Sequence, residues 1–394
     1  MSELGSVTHR LSAATAALDP PLAALDVAAL RRNMADLARR ASGTPIRVAS
    51  KSVRCRWLLE NALSEQAFSG IMAYSLAEAI WLVRGGLGNV LIGYPTASRA
   101  ALRELAGAAE LLAEITLMID SIAHLDFIAA AVGTPAAPIR VCLDVDASLR
   151  VGRGPLTAHL GVRRSPIRTP EQAAVVATEA LRRPEYLPVG VMFYEAQIAG
   201  LPDSSPAVAL VKRKSAAELA VRRSEVVAAV RASGAQLEIV NSGGTGSIEI
   251  SAADPVVTEV TAGSGLYSPT LFDNYRAFDS DPSLYFALPV VRRPAADIAT
   301  LYGGGYVASG PAKKSRLPSA VDDGLELIGT EGAGEVQTPV RGPGARNLAI
   351  GDRVWMRHAK AGELLERFDA VHLVEGSTVT GTVPSYRGEG RNFG

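Results

Sequence analysis

The stretch Leu237-Glu238-Ile239-Val240-Asn241-Ser242-Gly243-Gly244-Thr245-Gly246-Ser247 contains an apolar, β-branched run that leads directly into closely spaced glycines. The run predicts a buried strand, and the glycines predict a turn whose backbone N–H groups can face an anion. Thr245 and Ser247 add hydroxyl donors to this turn. A glycine-rich turn is more often only a turn, so its meaning depends on the strands around it.

Seven further runs of strand length occur in the chain, with segments of helical periodicity between them. In order, the eight predicted strands are residues 46–50, 68–74, 89–94, 114–120, 139–146, 189–194, 237–242 and 257–263. Alternating strands and helices indicate a parallel sheet, and eight such units are the number that closes a (β/α)8 TIM-type barrel. An open doubly wound sheet is the alternative, but it usually has fewer strands.

The remainder of the chain predicts a second, smaller all-β domain. After about residue 275, proline and glycine become frequent and the strand-like runs become short. We therefore expect the barrel at residues 26–275 and a β-domain formed by residues 276–394 together with the N-terminal segment 1–25. A chain of 394 residues has room for both domains.

The composition indicates a partner other than nucleic acid or membrane. Forty basic and forty acidic residues give a formal charge of zero, which disfavours nucleic acid and anionic membranes. Three glutamates interrupt the apolar segment 102–120, so it does not predict a membrane span. The two cysteines, Cys55 and Cys142, have no metal-binding spacing and fit a reducing, cytoplasmic location without a secretion signal.

Lys51 is the candidate catalytic amine. It follows the first predicted strand in Arg47-Val48-Ala49-Ser50-Lys51 and therefore stands at the C-terminal rim of the barrel, where barrel enzymes keep their active sites. An amine partly removed from water at such a rim becomes a nucleophile able to form a Schiff base. Most lysines after a strand are simply solvated, so a second feature is needed.

Two glycine loops supply that feature. The first follows the seventh strand, and the second, Gly263-Ser264-Gly265-Leu266-Tyr267, follows the eighth. Loops after strands seven and eight commonly bind phosphate in barrels, and closure places the first strand beside the eighth. A phosphate site beside a Schiff-base amine is what pyridoxal 5′-phosphate (PLP) requires. The predicted cofactor contacts in these loops are Ser242, Gly243, Gly244, Thr245, Gly263, Ser264, Gly265 and Tyr267.

The fifth and sixth strands end in further candidate residues. Asp144 and Asp146 share one side of the fifth strand, and Arg150 follows them. Either one aspartate forms an ordinary ion pair with Arg150, or an aspartate orients Arg150 against the phenolate oxygen or ring of the cofactor. Tyr194 ends the sixth strand and Gln197 lies just beyond it. A strand-end tyrosine is often a core residue, but this pair predicts a cofactor contact from Tyr194 and a substrate contact from Gln197.

At these residues the sequence resembles the fold-type III PLP enzymes with an alanine-racemase-like N-terminal barrel, and within them the D-threonine aldolase and D-serine dehydratase family. Five family motifs, namely Arg-Pro-His-x-Lys, Asp-x-Gly-x-x-Arg, Tyr-x-Gly-His, Gly-Gly-Thr-Pro-Ser and Thr-Glu-x-x-x-Gly-x-Tyr, are represented by residues 47–51, 144–150, 194–197, 243–247 and 258–267. The resemblance implies that Lys51 carries the cofactor and that the two glycine loops hold its phosphate. It also implies small D-amino acids as substrates and a homodimer in which the β-domain completes the active site of the partner.

The sequence departs from the family at its metal-binding pair. The family's His-x-Cys or His-x-Asp is represented by His358-Ala359-Lys360. A charged lysine amine has no lone pair and cannot replace a thiolate or carboxylate ligand. We therefore expect the divalent metal to be lost or weakly bound, with His358 as a remaining ligand and Lys360 holding the β-hydroxyl of the substrate instead. A solvated loop is the alternative for both residues.

These residues leave two lyase reactions open. In the favoured aldolase reaction, His358 or Lys360 accepts the β-hydroxyl proton and the Cα–Cβ bond breaks, which gives glycine and an aldehyde. In a dehydratase, Lys51 takes the Cα proton and protonated Lys360 assists departure of the hydroxyl, which gives a 2-oxo acid and ammonia. A racemase would need a second base on the opposite face, for which no residue is assigned. A non-catalytic PLP carrier is disfavoured by the β-domain that carries His358 and Lys360.

Overall fold

The structure of the chain, a computed structural model, describes residues 3–152, 154, 157–203, 205–322 and 324–394, with side chains from residue 7 onward. The strands in these ranges are, in chain order, β1 Leu22–Asp26, β2 Ile46–Ala49, β3 Phe68–Ala73, β4 Val90–Ile92, β5 Ile115–Ile119, β6 Ile139–Val145, β7 Leu149–Val151, β8 Ala158–Leu160, β9 Tyr186–Phe193, β10 Ile239–Ser242, β11 Glu259–Ala262, β12 Leu284–Ala295, β13 Ile298–Tyr302, β14 Ser319–Ala320, β15 Glu326–Leu327, β16 Gln337–Arg341, β17 Arg353–Arg357, β18 Ala370–Glu375 and β19 Thr378–Pro384. The α-helices are α1 Glu3–Ala14, α2 Val27–Ala41, α3 Arg56–Leu63, α4 Leu76–Arg84, α5 Arg99–Ala106, α6 Ala109–Glu114, α7 Ile122–Val132, α8 Pro170–Arg182, α9 Ala196–Ala199, α10 Pro206–Ala232, α11 Ile248–Ala252 and α12 Ser264–Tyr267.

Eight parallel strands of the described chain close into a barrel, in the order β2-β3-β4-β5-β6-β9-β10-β11. Each of them lies within or overlaps one of the eight predicted strands, so the predicted TIM-type barrel is confirmed. The last strand closes the barrel by pairing with the first, where residues 260–262 of β11 lie beside residues 46–48 of β2. This pairing places the turns after the first and last strands side by side.

The helices of the barrel begin at capping residues that the sequence supplies. Asp26 accepts a hydrogen bond from the backbone N–H of Ala29 at the start of α2, which precedes the first barrel strand. Ser75 caps α4, and Thr169 forms a capping box with Gln172 at α8. These side chains satisfy N–H groups that have no partner within the helix. In the described part of the chain, no helix is both long enough and apolar enough to cross a membrane.

The interior of the barrel contains an apolar cluster and a buried ion pair. The cluster consists of Leu91, Met118, Cys142, Met192 and Ile239, with Met72 packed against it. Arg47 on β2 meets Glu259 on β11 across the closing pair of strands, and Nε and Nη2 each lie 2.7 Å from a carboxylate oxygen. Arg47 also donates to the carbonyl oxygen of Asn89, and Asn241 donates to Glu259. This pair therefore has the bidentate geometry and additional hydrogen bonds that a buried pair needs.

The second domain is built on a nine-stranded sheet of the described residues. Its order is β15-β16-β13-β12-β1-β18-β19, and β17 pairs with β12 and β14 outside this path. The N-terminal strand β1 lies between β12 and β18. Helix α1 joins this domain, where Val7 and Leu11 are buried and Trp355 donates to the Ser12 hydroxyl at 2.9 Å. The smaller, mostly β domain with an N-terminal contribution is thereby confirmed, while the boundaries 26–275 and 276–394 stay a prediction.

The C-terminal residues 387–394 pack against the barrel. The ring of Phe393 lies 5.4 Å from that of Trp81 on α4, and Tyr386 lies 4.9 Å from the same ring. Glu389 forms an ion pair with Arg56 at the start of α3. Aromatic contacts and an ion pair therefore fix this segment on two barrel helices.

Replacing Arg47 by methionine should lower the free energy of unfolding by about 3–5 kcal/mol, because Glu259 would keep a buried charge without its partner. The double variant Arg47→Met/Glu259→Leu removes both charges, and we expect it to recover most of this loss. Chemical denaturation of the purified variants measures both values.

The matched control is Arg31→Met. Arg31 pairs with Glu375, but these side chains are 66% and 41% exposed, so the change should stay below about 1 kcal/mol. An equal loss in the Arg47 single and double variants would show that packing, and not charge, is what Arg47 contributes.

Candidate active site

Lys51 lies at the mouth of the barrel, in the short 3-10 helix Ser50–Ser52 that follows β2. Its side chain is exposed, and Nζ donates a hydrogen bond of 2.7 Å to the hydroxyl of Tyr94, which follows β4. The Ser50 hydroxyl donates to the carbonyl oxygen of Met72 on β3 and so fixes the turn. The amine is thus held in a defined place while remaining accessible to a carbonyl compound.

The two glycine loops lie together beside this turn. A Cβ atom on Gly263 would stand 2.6 Å from the carbonyl oxygen of Ala49, so only glycine permits this approach to the strand that precedes Lys51. The backbone N–H of Gly265 donates to Thr245 Oγ1 at 3.0 Å, and Ser264 Oγ lies 3.3 Å from the same oxygen. The structure therefore brings together the amine and both loops, as the order of the strands predicts.

Glu195 holds the first glycine loop in place. It is fully buried, and its Oε1 accepts from the Ser247 and Ser251 hydroxyls at 2.8 and 2.7 Å. Its Oε2 accepts from the Ser242 hydroxyl and the Gly243 N–H at 3.0 and 3.2 Å. The Ser242 and Ser247 hydroxyls are therefore bonded inside the loop and shape it. Sequence reasoning missed Glu195, for which the only signal is a carboxylate directly after the sixth barrel strand.

The geometry of the loops fits a phosphate group. Gly243 has a φ of +96°, which glycine adopts without strain. A Cβ atom on Gly244 would lie 2.9 Å from the Ala199 Cβ, and one on Gly246 would lie 2.4 Å from the Ala199 carbonyl oxygen. The Gly243 and Gly244 N–H groups donate to Glu195 and to the Ser247 hydroxyl, so the N–H groups of Thr245 and Gly246 are the ones in this loop that can face an anion. The residues present thus fit the phosphate end of PLP, and Lys51 fits its aldehyde.

Tyr267 and Gln197 are both engaged with backbone. The Tyr267 hydroxyl is buried and donates to the carbonyl oxygen of Val53 at 2.9 Å, so it braces the chain just after Lys51. Gln197 is 3% exposed and donates through Nε2 to the carbonyl oxygen of Ala147 at 2.7 Å. Its Oε1 has no partner among the described residues. A substrate contact from Gln197 and a phosphate contact from Tyr267 stay predictions.

Arg150 forms an ion pair with Asp146, which is one of the two roles that the sequence left open for it. Arg150 lies on β7 of the β7–β8 hairpin, and its Nη2 lies 2.7 Å from Asp146 Oδ2. Burial alone would raise the pKa of Asp146, but hydrogen bonds from Ser148 and Arg150 outweigh it and lower that pKa. A contact between Arg150 and a cofactor stays a prediction.

A second arginine, Arg164, contacts the same tyrosine ring as Lys51. The guanidinium carbon of Arg164 stands 5.1 Å from the ring centre of Tyr194 and 5.6 Å from that of Tyr94. Tyr194 is half-buried, and burial raises the pKa of its hydroxyl. Sequence reasoning missed Arg164, since it lies in the irregular segment between β8 and α8 and belongs to no motif.

The loop after β17 brings His358 and Lys360 to the turn of Lys51 within the same chain. A Cβ atom on Gly362 would lie 2.6 Å from the Lys51 carbonyl oxygen. Lys360 Nζ donates to the Ser309 hydroxyl at 2.7 Å and lies 3.8 Å from Glu363 Oε1. Burial lowers the pKa of Lys360, Glu363 raises it, and the nearby charge of Lys51 lowers it further. The charges of Lys51 and Lys360 therefore repel each other.

His358 is buried between two carbonyl groups. Nδ1 faces the carbonyl oxygen of Lys360, and Nε2 lies 2.9 Å from that of Tyr306. Burial lowers the pKa of His358, and neither ring nitrogen points to open space. No three His, Cys, Asp or Glu side chains of the described residues cluster as metal ligands. This donor set does not fit a divalent cation, and the expected loss of the metal stays a prediction.

Comparison with known proteins places this geometry in a family. The family described as alanine racemase, N-terminal domain, matches residues 25–270. A D-threonine aldolase of Arthrobacter sp is 29% identical over 303 residues, which cover 73% of this chain and 72% of that protein. A 3-hydroxy-D-aspartate aldolase of Paracoccus denitrificans is 24% identical over 253 residues, or 63% of this chain and 60% of that protein.

Two solved structures share the fold. The D-threonine aldolase of Filomicrobium marinum superposes with a TM-score of 0.80 at 19% identity, covering 94% of this chain and 96% of that one. The D-threo-3-hydroxyaspartate dehydratase of Delftia sp. HT23 gives a TM-score of 0.71 at 19% identity, with 93% and 97% covered. Since the family match spans more than half of the sequence, and as the resemblance predicts, this chain belongs to the alanine racemase N-terminal domain family.

Proposed function

We propose that this chain is a PLP-dependent lyase that cleaves small D-β-hydroxy amino acids by the aldolase reaction, giving glycine and an aldehyde. The observation that carries the proposal is the exposed Lys51 amine beside two joined glycine loops. An amine and a neighbouring phosphate site are the two attachments that PLP needs. The names of the two sequence relatives, both aldolases of D-hydroxy amino acids, support the substrate class.

Each part of the site has one task in this reaction. PLP, when bound, supplies an electron sink for the charge that develops at the substrate Cα. Lys51 would hold the cofactor through its aldehyde, and the loops at Gly243 and Gly263 would hold its phosphate. Because both ring nitrogens of His358 face carbonyl oxygens, Lys360 is the residue of this loop that takes the β-hydroxyl proton. A lowered pKa gives Lys360 more of the neutral form that this step requires.

A dehydratase is the second candidate, and the contacts of Lys360 favour it. Hydrogen bonding to Ser309 and the nearby Glu363 carboxylate stabilise the charged amine. In that form Lys360 donates a proton to the leaving hydroxyl, and Lys51 takes the Cα proton. A named dehydratase is among the proteins with this fold. The homodimer implied by the family resemblance is also part of the proposal.

Lys51→Ala should abolish both turnover and the covalent attachment of the cofactor. Borohydride reduction of the wild-type holoenzyme, followed by peptide mass analysis, should place the pyridoxyl group on the peptide that contains Lys51. Lys214→Ala removes an exposed lysine on α10 and should leave both unchanged. A reduced cofactor on any other lysine would refute the proposed site.

The products distinguish the two reactions. D-Threonine should give acetaldehyde and glycine if the aldolase reaction dominates, whereas D-serine should give pyruvate and ammonia if the dehydratase does. Binding of PLP without any reaction of either substrate would favour a carrier and contradict the proposal of a lyase.

Glu195→Gln should weaken PLP binding by about 10- to 100-fold. The amide keeps the shape of the side chain but replaces an acceptor oxygen by a donor, so buried donors of the glycine loop lose their partner at about 1–3 kcal/mol each. Equilibrium dialysis measures the affinity, and circular dichroism checks the fold. Glu238→Gln, at an exposed carboxylate just before β10, is the control. Unchanged PLP affinity with lowered stability would make Glu195 a residue of the fold only.

The pH dependence tests the role of Lys360. If its neutral amine takes the β-hydroxyl proton, kcat for aldehyde formation rises with pH through the pKa of Lys360, which lies below that of a free lysine. A reaction that uses the charged amine falls over the same range. Lys360→Met should remove this limb of the profile, and Lys313→Met, at an exposed lysine, should retain it.

Exhaustive chelation should leave activity intact, because Lys360 is proposed to act without a metal. Loss of activity under chelation and its recovery with manganese or zinc would contradict the proposed role of Lys360.

A further inference from the structure

Arg164 is a cation at the mouth of the barrel for which the described residues supply no hydrogen-bonded anion. Its guanidinium lies over the rings of Tyr94 and Tyr194, and Tyr94 is the residue that accepts the hydrogen bond of Lys51. Within the described ranges, its side chain forms neither a salt bridge nor a hydrogen bond. By contrast, Arg150 and Arg168 on the same rim are both paired with Asp146.

The contacts of Arg164 orient it without using its N–H groups. Attraction to two aromatic faces positions a guanidinium, while its N–H donors remain free for a planar anion. Asp144 is the carboxyl group that interacts with it electrostatically, and burial raises the pKa of Asp144 to about 7 even though Arg164 lowers it. At neutral pH this carboxyl group is therefore only partly charged, and it neutralises Arg164 only in part.

Arg164 also lines an open cavity of about 500 Å³. The charged side chains around this cavity are Arg150, Arg163, Arg164 and Asp146, with His159 beside them. Since Asp146 is already bonded to Arg150 and Ser148, the lining carries an excess of positive charge. The volume lies in the range of small-molecule sites, and an anionic ligand is the kind that this lining stabilises.

We propose that Arg164 binds the side-chain carboxylate of the substrate, so that the preferred substrates are D-β-hydroxy amino acids with a second carboxylate, of the 3-hydroxyaspartate type. This inference rests on the proposed function and names the substrate class of the same site. A guanidinium binds the two oxygens of a carboxylate in a bidentate manner, which the single phenolate oxygen of the cofactor cannot match. The Lys51 amine and the Arg164 guanidinium lie 5.3 and 5.6 Å from the ring centre of Tyr94, which places Arg164 within reach of a second carboxylate on a substrate bound beside Lys51.

Equilibrium binding to the holoenzyme tests the proposal without turnover. D-Aspartate and D-alanine lack the β-hydroxyl needed for cleavage and differ in the carboxylate that Arg164 would bind. Calorimetric titration should show D-aspartate binding about 10- to 100-fold more tightly, the size expected for a hydrogen bond to a charged group. Arg164→Met keeps an apolar chain over the tyrosine rings and should remove this preference. Arg163→Met, at the neighbouring exposed arginine of the same cavity, should retain it.

Three results would overturn the proposal. The first is a wild-type holoenzyme that binds both ligands equally well. The second is an equal loss for both ligands in Arg164→Met, which would assign Arg164 to the α-carboxylate or the cofactor. The third is an equal loss of preference in Arg163→Met, which would reduce the effect to the general charge of the cavity.

Kinetics separate this inference from the proposed function. For wild type, kcat/KM with D-3-hydroxyaspartate should exceed that with D-threonine. Arg164→Met should lower the former by about 10- to 100-fold, mainly through KM, and leave the latter unchanged. If wild type cleaves neither compound, the proposed lyase function fails, while the difference between D-aspartate and D-alanine binding still decides the role of Arg164.

Discussion

The pairing of β11 with β2 is the constraint on which the candidate site depends. It makes the last strand of the barrel a neighbour of the first, so the loop at Gly263 and the turn at Lys51 lie together although more than two hundred residues separate them in sequence. The Arg47–Glu259 ion pair spans the same two strands in the barrel interior. Since a Cβ atom on Gly263 would lie only 2.6 Å from the Ala49 carbonyl oxygen, the two segments pack closely, and a small shift between these strands would move the glycine loop away from the amine.

Buried polar side chains give the first glycine loop its shape and join it to the second. A loop of glycines has high conformational entropy and few side chains to pack, so it needs fixed hydrogen-bond partners. Glu195 supplies acceptors to Ser242, Gly243 and Ser247 of the first loop. Thr245 then joins this loop to the second one through the Gly265 N–H. The cost of burying a carboxylate is offset only because both of its oxygens are satisfied.

The barrel and the location of Lys51 follow from the sequence because both depend on periodicity and strand order. The strands were marked by apolar runs, and closure then fixed which turns are neighbours. Sequence analysis assigned no role to Glu195 or Arg164, because each looks like an ordinary surface charge in the sequence. The partners of Glu195 lie in a loop about fifty residues later in the chain. Arg164 reaches the tyrosine rings through an irregular segment whose course no periodic pattern predicts.

The surroundings of position 360 explain how a lysine amine is accommodated beside the turn of Lys51. Glu363 and Ser309 form a hydrogen-bonded pair there, and both face the Lys360 amine. A carboxylate at this position would lie beside Glu363, and two like charges in a half-buried site repel each other unless a cation joins them. Lysine supplies that positive charge from the chain itself, and so the loop keeps its electrostatic balance next to Lys51. The neighbouring His358 faces carbonyl oxygens of its own domain through both ring nitrogens, which ties the loop to the β-domain.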